Sequence, residues 1–208
     1  MYALVESGNI TKIFHNPQGF KLGDNQYSAD VFTKWSNSER EAIGIYAVTI
    51  DNTNKKNEKW YTNTNQSFTY DASAKTVTAT YGTATAKAHA DTNWTQTEID
   101  NGDAPTGATT STVKTEGLKT ELIRDLKKDV SRILSETYWY VIRNSEKSTA
   151  IPSNITTHRD AVRTKQAEME TAITNAADTA ALETLYTYTQ QEDGTATRPL
   201  GELPELES

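Results

Sequence analysis

The chain has 208 residues, with 21 Lys and Arg against 28 Asp and Glu and a formal net charge of -7 at pH 7. Such a surface repels polyanions on average, and no Lys/Arg stripe locally reverses it, so nucleic acid is not an expected partner. The absence of cysteine excludes disulfide frameworks, thiolate nucleophiles and cysteine metal sites. A hydrophobic share of 35% and a mean hydropathy of -0.70 predict a folded chain with extended, polar parts that lean on neighbours.

The opening MYALVESGNITKIF has neither a basic start nor a sustained apolar run, so it does not read as a signal peptide. No apolar stretch approaches the roughly 18 residues of a membrane span, and a soluble chain with no membrane partner is expected. Residues 1–82 read as a β-rich domain. Tyr2 to Val5 and Ile10 to Phe14 form a hairpin pattern around Ser7-Gly8-Asn9. Asn16-Pro17-Gln18-Gly19 breaks it. Ser36 to Glu41 supplies a capping residue for a short helical turn that Gly44 ends. Ile45 to Ile50 has the β-branched content of a buried strand. Trp60-Tyr61 and Ser67 to Tyr70 suggest a strand pair across Asn63-Thr64-Asn65, and Thr76 to Tyr81 alternates with a period of two.

Residues 83–115 are rich in Thr, Ala, Asn, Asp and Gly and predict a linker or long loop, with Trp94 the one residue suited to docking. At Glu116 the period changes to 3.6. Leu118, Leu122, Ile123, Leu126, Val130, Ile133 and Leu134 then share one helical face. This helix is expected to end near Glu136 or Thr137, because Tyr138 to Arg143 (YWYVIR) is aromatic and β-branched. Pro152-Ser153-Asn154 starts a second helix reaching about Ala177, with Ile155, Ala161, Val162, Met169, Ala172 and Ile173 inward. Asp178 caps a third, short helix. Residues 116–189 thus predict a helical domain, and residues 190–208 an extended acidic tail of disordered composition. The fold class expected is α+β, a small β-rich N-terminal domain followed by an antiparallel helical unit.

Little here suggests catalysis. His15, His89 and His158 lack ligand spacing, and His158 and Arg159 read as solvated. The pairs Glu39/Glu41 and Glu168/Glu170 sit in polar helical stretches without the apolar setting that raises a carboxyl pKa. No nucleophile elbow, phosphate loop, dinucleotide fingerprint or zinc-protease motif occurs, so no cofactor is expected and the chain reads as non-enzymatic. Trp60, Tyr61 and Trp94 could form an aromatic surface that binds sugar, or could pack in the core or against a subunit. Trp139 and Val141 could pack on the helix ending near Leu134, with Arg143 paired to a carboxylate.

The segment from Leu118 to Arg163 carries a resemblance. Its Leu- and Lys/Arg-rich helix is followed by ETYWYVIR, then Glu146, Ile151-Pro152 and, from Thr157, THRDAVR. This order resembles the C-terminal module of tailed-bacteriophage tail proteins, tail assembly chaperone-like and tail-fibre-associated. Thr137-Tyr138-Trp139 stands where that module has Thr-Asp-Trp, and His158 where it often has Tyr. The stretch GFKLGDNQYSADVFTKWSNSEREAIGIY from Gly19 is similar to the β-rich module that precedes it in such proteins. The resemblance implies a structural protein of a phage virion, in the tail or tail-fibre attachment region and made in the host cytoplasm. Its partners would be other phage tail proteins, in a homo-oligomer or symmetric assembly. Two alternatives are an assembly chaperone that leaves the particle and a carbohydrate-binding host-recognition module. Trp139, Arg143, Arg159 and Arg163 match the module, and Trp and Arg are the types that dominate interface energetics, which makes these four the candidate contact residues.

Overall fold

A computed structural model describes residues 1–64 and 66–206. Asn65, in the expected turn after Tyr61, and residues 207 and 208 of the expected tail lie outside them. The fold is α+β, 36% helical and 24% strand, with the strands concentrated toward the N-terminus. Contacts divide the chain into two compact units, Met1–Thr85 and the residues from Ala86 onward.

In the first unit, strands β1 (Tyr2–Glu6) and β2 (Asn9–Phe14) pair antiparallel. Ser7 and Gly8 between them both have positive φ, the primed turn that matches strand twist. A second hairpin, β3 (Phe20–Leu22) and β4 (Asn25–Tyr27), leads into two short helices, α1 (Asp30–Thr33) and α2 (Asn37–Ala42). Ser36 and Glu39 close a reciprocal capping box on α2. Gly44 follows with φ +77°, and a Cβ there would lie 2.5 Å from the Val5 carbonyl oxygen. Only glycine lets the chain turn this close to β1 and enter β5 (Ile45–Asp51). Beyond β6 (Tyr61–Thr62) come β7 (Gln66–Asp71), β8 (Thr76–Tyr81) and, at the division, β9 (Thr85–Ala86). The main sheet runs β2-β1-β5-β8-β7, with β5 and β8 parallel, and curls into a half-barrel.

Each face of this sheet buries different residues. Leu4, Phe14 and Ile45 pack with Phe20, Val31 and Phe32 beneath α1 and the second hairpin. Phe14, Phe20 and Phe32 have ring centroids 4.9 to 5.7 Å apart, the tilted spacing aromatic quadrupoles favour. On the other face, strand register aligns Ala3 with Tyr46, and Val48, two residues beyond Tyr46 on β5, with Val77 and Tyr70. The rings of Tyr46 and Tyr70 meet at 4.9 Å, and a hydrogen bond with Tyr70, then burial, pushes the Tyr46 hydroxyl up to about 12. The strand pair expected from Trp60-Tyr61 and Ser67 to Tyr70 is corrected: β7 pairs with β8, along the whole of both strands. β8 alternates buried Val77 and Ala79 with more polar positions, so it offers β7 a longer apolar edge than the two residues of β6 can.

In the second unit, β10 (Thr92–Asn93) pairs with β11 (Val113–Thr115) around α3 (Gln96–Asp100). Four helices follow: α4 (Leu118–Ser135), α5 (Tyr138–Lys147), α6 (Ser153–Asn175) and α7 (Thr179–Tyr186). Lys119 Nζ reaches the Thr174 carbonyl at 2.8 Å, while Leu134 at the other end of α4 meets Arg159 near the start of α6, so α4 and α6 are antiparallel. Leu118, Leu122, Leu126 and Val130 of α4 face Ile155, Val162, Met169 and Ile173 of α6. Ala161, expected inward, is exposed.

The stretch expected as a structureless linker builds the start of α4. Gly117, its N-cap, has no side chain with which to satisfy the free N–H groups of the first turn. Leu118 and Lys119 donate instead to the carbonyls of Ala88 and His89, both at 3.0 Å. The Asp91 carboxylate accepts from the Gly117 N–H at 2.7 Å and from the Thr120 hydroxyl. The fit is close: a Cβ on Gly117 would stand 2.3 Å from the Ala90 carbonyl carbon. Glu98 closes a capping box with Thr95 and also accepts from Lys114, which ties α3 to β11.

The tail is corrected as well. β12 (Thr189–Gln190) and β13 (Ala196–Thr197) form a hairpin, after which Leu200 is buried and its N–H donates to the Leu185 carbonyl at 3.1 Å. Arg198 holds Glu202 at 2.8 Å and lies over the rings of Tyr186 and Tyr188. One buried leucine and this clamp offset the polar composition that suggested disorder.

Two outcomes follow. Gly117→Ala forces backbone apart at the start of α4 and should lower stability by more than about 2 kcal/mol, read from the helical circular dichroism during urea unfolding. Glu98 is lowered to about 2, by Lys114 first and then by Thr95, and Asp91 is lowered by the Gly117 N–H and then Thr120. Folded pKa values below the unfolded ones mean stabilisation that is complete above the usual carboxylate range and lost as pH falls through it. Melting temperature should therefore drop between about pH 4.5 and 2, and Glu98→Gln should flatten that drop.

Candidate functional site

The helix expected to stop near Thr137 does so, but the aromatic stretch after it is helical rather than extended. Thr137 breaks the α4 geometry with φ -112° and ψ 9°, and its hydroxyl donates to the Leu134 carbonyl at 3.2 Å. The guanidinium of Arg159, buried at 6% exposure, comes up from α6 and donates to that same carbonyl at 2.7 Å and to Thr137 Oγ1 at 2.6 Å. It also lies 5.2 Å from the Tyr138 ring centroid. One planar cation thus fixes the end of α4, the α4–α5 corner and the first residue of α5. At the other end Ser148 is left-handed with φ 51°, and Asn144 Nδ2 donates to the Thr149 carbonyl at 2.9 Å. With its corner pinned, YWYVIR takes helical geometry against its β propensity, as tertiary context commonly dictates.

α5 contains no buried residue. Tyr138, Trp139 and Ile142 are 50%, 51% and 54% exposed and lie on adjoining positions of one helical side. Arg143 stacks over Trp139 with 4.6 Å between guanidinium carbon and ring centroid, and reaches Tyr140 at 5.5 Å. Its Nε is buried without a hydrogen-bond partner. The Trp139 and Tyr140 rings are themselves 4.0 Å apart. The result is an apolar and aromatic face, stiffened by an Arg, on a helix attached through its ends.

The four candidate contact residues therefore separate. Trp139 and Arg143 share the α5 face. Trp139 stays 51% exposed, and Arg143 stacks on its ring, with no carboxylate at ion-pair distance among the described residues. Arg159 is not solvated. It anchors the face from below, and His158 beside it is buried too. Arg163 lies on α6, half exposed, with Asp160 at 3.4 Å as a surface ion pair of small consequence. Sequence reasoning passed over Tyr138 and Ile142, whose spacing of four with Trp139 between them is the signal a helical reading of YWYVIR would have used.

The candidate aromatic surface does not form from Trp60 and Tyr61, which take the alternative place in the core. Both are buried, at 3% and 7% exposure, with Lys59 and Lys56 lying over their rings. Lysine stems shed their own apolar surface there and leave no open ring for a sugar. Trp94, in the second unit, is half-buried under Lys114 at 4.8 Å. The carboxylate pairs have local work: Glu39 caps α2, Glu168 lies 3.3 Å from Lys165, and Glu170 accepts from Gln166 at 2.7 Å. A shallow groove of about 430 Å³ on α4 is lined by Thr120, Ile123, Arg124, Lys127, Lys128 and Ser131. Its cations face Glu116, Glu170 and Asp125, so its positive field is largely cancelled within the chain. Among the described residues no three His, Asp or Glu side chains gather as a metal would require, and no helix is long and apolar enough to cross a membrane.

Comparison with family models, with curated proteins and with solved structures finds no match to this chain.

The anchor and the face should respond differently to substitution. Arg159→Met removes the donor to Thr137 Oγ1 and one of the donors to the Leu134 carbonyl and should cost about 2 kcal/mol in urea unfolding. Trp139→Ala should cost less than about 1 kcal/mol, since half the ring is already in water. Equal losses at the two positions would contradict this assignment of roles.

Proposed function

We propose that this chain is a non-enzymatic structural component of a tailed-phage virion, in the tail or tail-fibre attachment region, that works through protein–protein contacts. One observation supports the reading above others: the stretch that carries the family resemblance, ETYWYVIR, is also the stretch whose aromatic side lies open. Tyr138, Trp139 and Ile142 together leave roughly 300 Å² of large side chain in water, taking about half of what each ring or branched chain can bury. A patch of about 300 Å² is of the size of the largest apolar patch on an ordinary monomer, which is often functional, and here it lies on a helix without buried residues. Trp and Arg stacked at its centre are the residue types that most often carry interface energy. The sugar-binding alternative loses two of its three rings to the interior.

Mass spectrometry with copy-number quantification on purified particles of the source phage tests the reading. A resident tail component should appear at a fixed ratio to the other tail proteins, in keeping with closed symmetry. Its absence from particles with complete tails would contradict residence and leave the transient assembly chaperone as the account.

A further inference from the structure

The α5 face has a chemistry that narrows what can cover it. Trp139, Arg143 and Lys147 stand at spacings of four and form one row, and Tyr138 and Ile142 form the next. Among the described residues, neither Arg143 nor Lys147 has a carboxylate partner within ion-pair distance. The surface thus offers aromatic rings and an aliphatic side chain beside two cations and the single carboxylate of Glu146, a net positive edge. Its complement is a short segment of Pro or Leu with an adjoining carboxylate.

The chain itself carries such a segment. After Glu202, which is held by Arg198 and Tyr188, residues 203 to 206 read Leu-Pro-Glu-Leu and belong to no helix or strand. Leu206 is 39% exposed, and Glu205 is exposed with no ion-pair partner among the described residues. Within one chain Leu206 and Trp139 both stay open, so this copy's segment does not cover this copy's face. We propose that Pro204-Glu205-Leu206 of a second copy docks on the α5 face, with Pro204 and Leu206 against Trp139 and Ile142 and Glu205 against Arg143. Proline prefers aromatic partners and arrives with little conformational freedom to lose, which is the basis of aromatic-groove recognition of Pro-containing segments. A two-fold contact of α5 with α5 fits less well, since it gathers Arg143 and Lys147 from both copies against Glu146 alone.

Segment and face are different surfaces, so the contact is head-to-tail, and repeated it generates a ring or a filament. The inference rests on the reading of α5 as a contact surface and names its occupant. Sedimentation velocity of the full chain up to about 200 μM tests it, a range suited to a contact smaller than a standard interface. The expected result is concentration-dependent association, weakened at least about tenfold by Trp139→Ala, Leu206→Asp, Arg143→Glu or Glu205→Arg, with circular dichroism unchanged. A chain carrying Arg143→Glu and Glu205→Arg together should recover association. A monomer throughout, or association indifferent to Leu206→Asp and without recovery in the double variant, overturns the proposal. Copy number in purified particles is read separately, so a chain present in particles yet monomeric in solution removes the self-docking and leaves the tail reading standing.

Discussion

The second unit depends on a guanidinium that has left water. Arg159 donates to the Leu134 carbonyl and to Thr137 Oγ1 and stacks beneath Tyr138, at a depth where an unpaired charge would be very costly. Its donors are directed in a fixed plane, so the carbonyl at the end of α4 and the hydroxyl at the corner must keep their places for the charge to remain satisfied. Both hydrogen bonds come from one terminal nitrogen, so a lysine could supply the charge and the donors but not the flat guanidinium that lies over Tyr138. The direction in which α5 leaves α4 follows from this constraint, and with it the side of α5 that faces solvent.

The other end of the same helix is governed by a complementary need. α4 begins at a glycine with no capping side chain, and the orphan N–H groups of its first turn are met by backbone carbonyls and a carboxylate from residues 88 to 91. A segment poor in apolar residues suits this work, since small side chains let two backbones approach and polar ones accept hydrogen bonds. The segment is therefore part of the helical unit physically, whatever its composition suggests. Similar logic applies to Arg198, which gathers Tyr186, Tyr188 and Glu202 around the one buried leucine of the tail.

Much of the architecture was legible because it is written in local patterns. The Ser7-Gly8 turn, the Ser36 cap, the alternation in β8 and the apolar row from Leu118 to Leu134 each determine structure within a few residues. Part of what sequence reading missed is set over longer distances: the capping of α4 by Asp91 and the burial of Arg159 involve partners that no short window of sequence contains. The pairing of β7 with β8 is local, a hairpin across residues 72–75 whose turn the reading passed over. YWYVIR is the clearest case: its β propensity is genuine, but a corner pinned by Arg159 decides against it. Of the candidate contact residues, Trp139 and Arg143 were found by type, while Tyr138 and Ile142 become visible only once the stretch is known to be helical. Trp60 and Tyr61 have the right chemistry for an open surface, and burial, which sequence does not encode locally, removes them.

The central claim is that the outward side of α5 meets another protein. Site-specific photo-crosslinking is the most direct test, with a photoreactive residue at Ile142 and, as control, at Ile50, which is comparably exposed on the β unit. In assembled particles the account predicts an adduct from position 142, to a second copy or to another tail protein, and none from position 50. A chain present in the particles that yields no adduct from position 142 would contradict it.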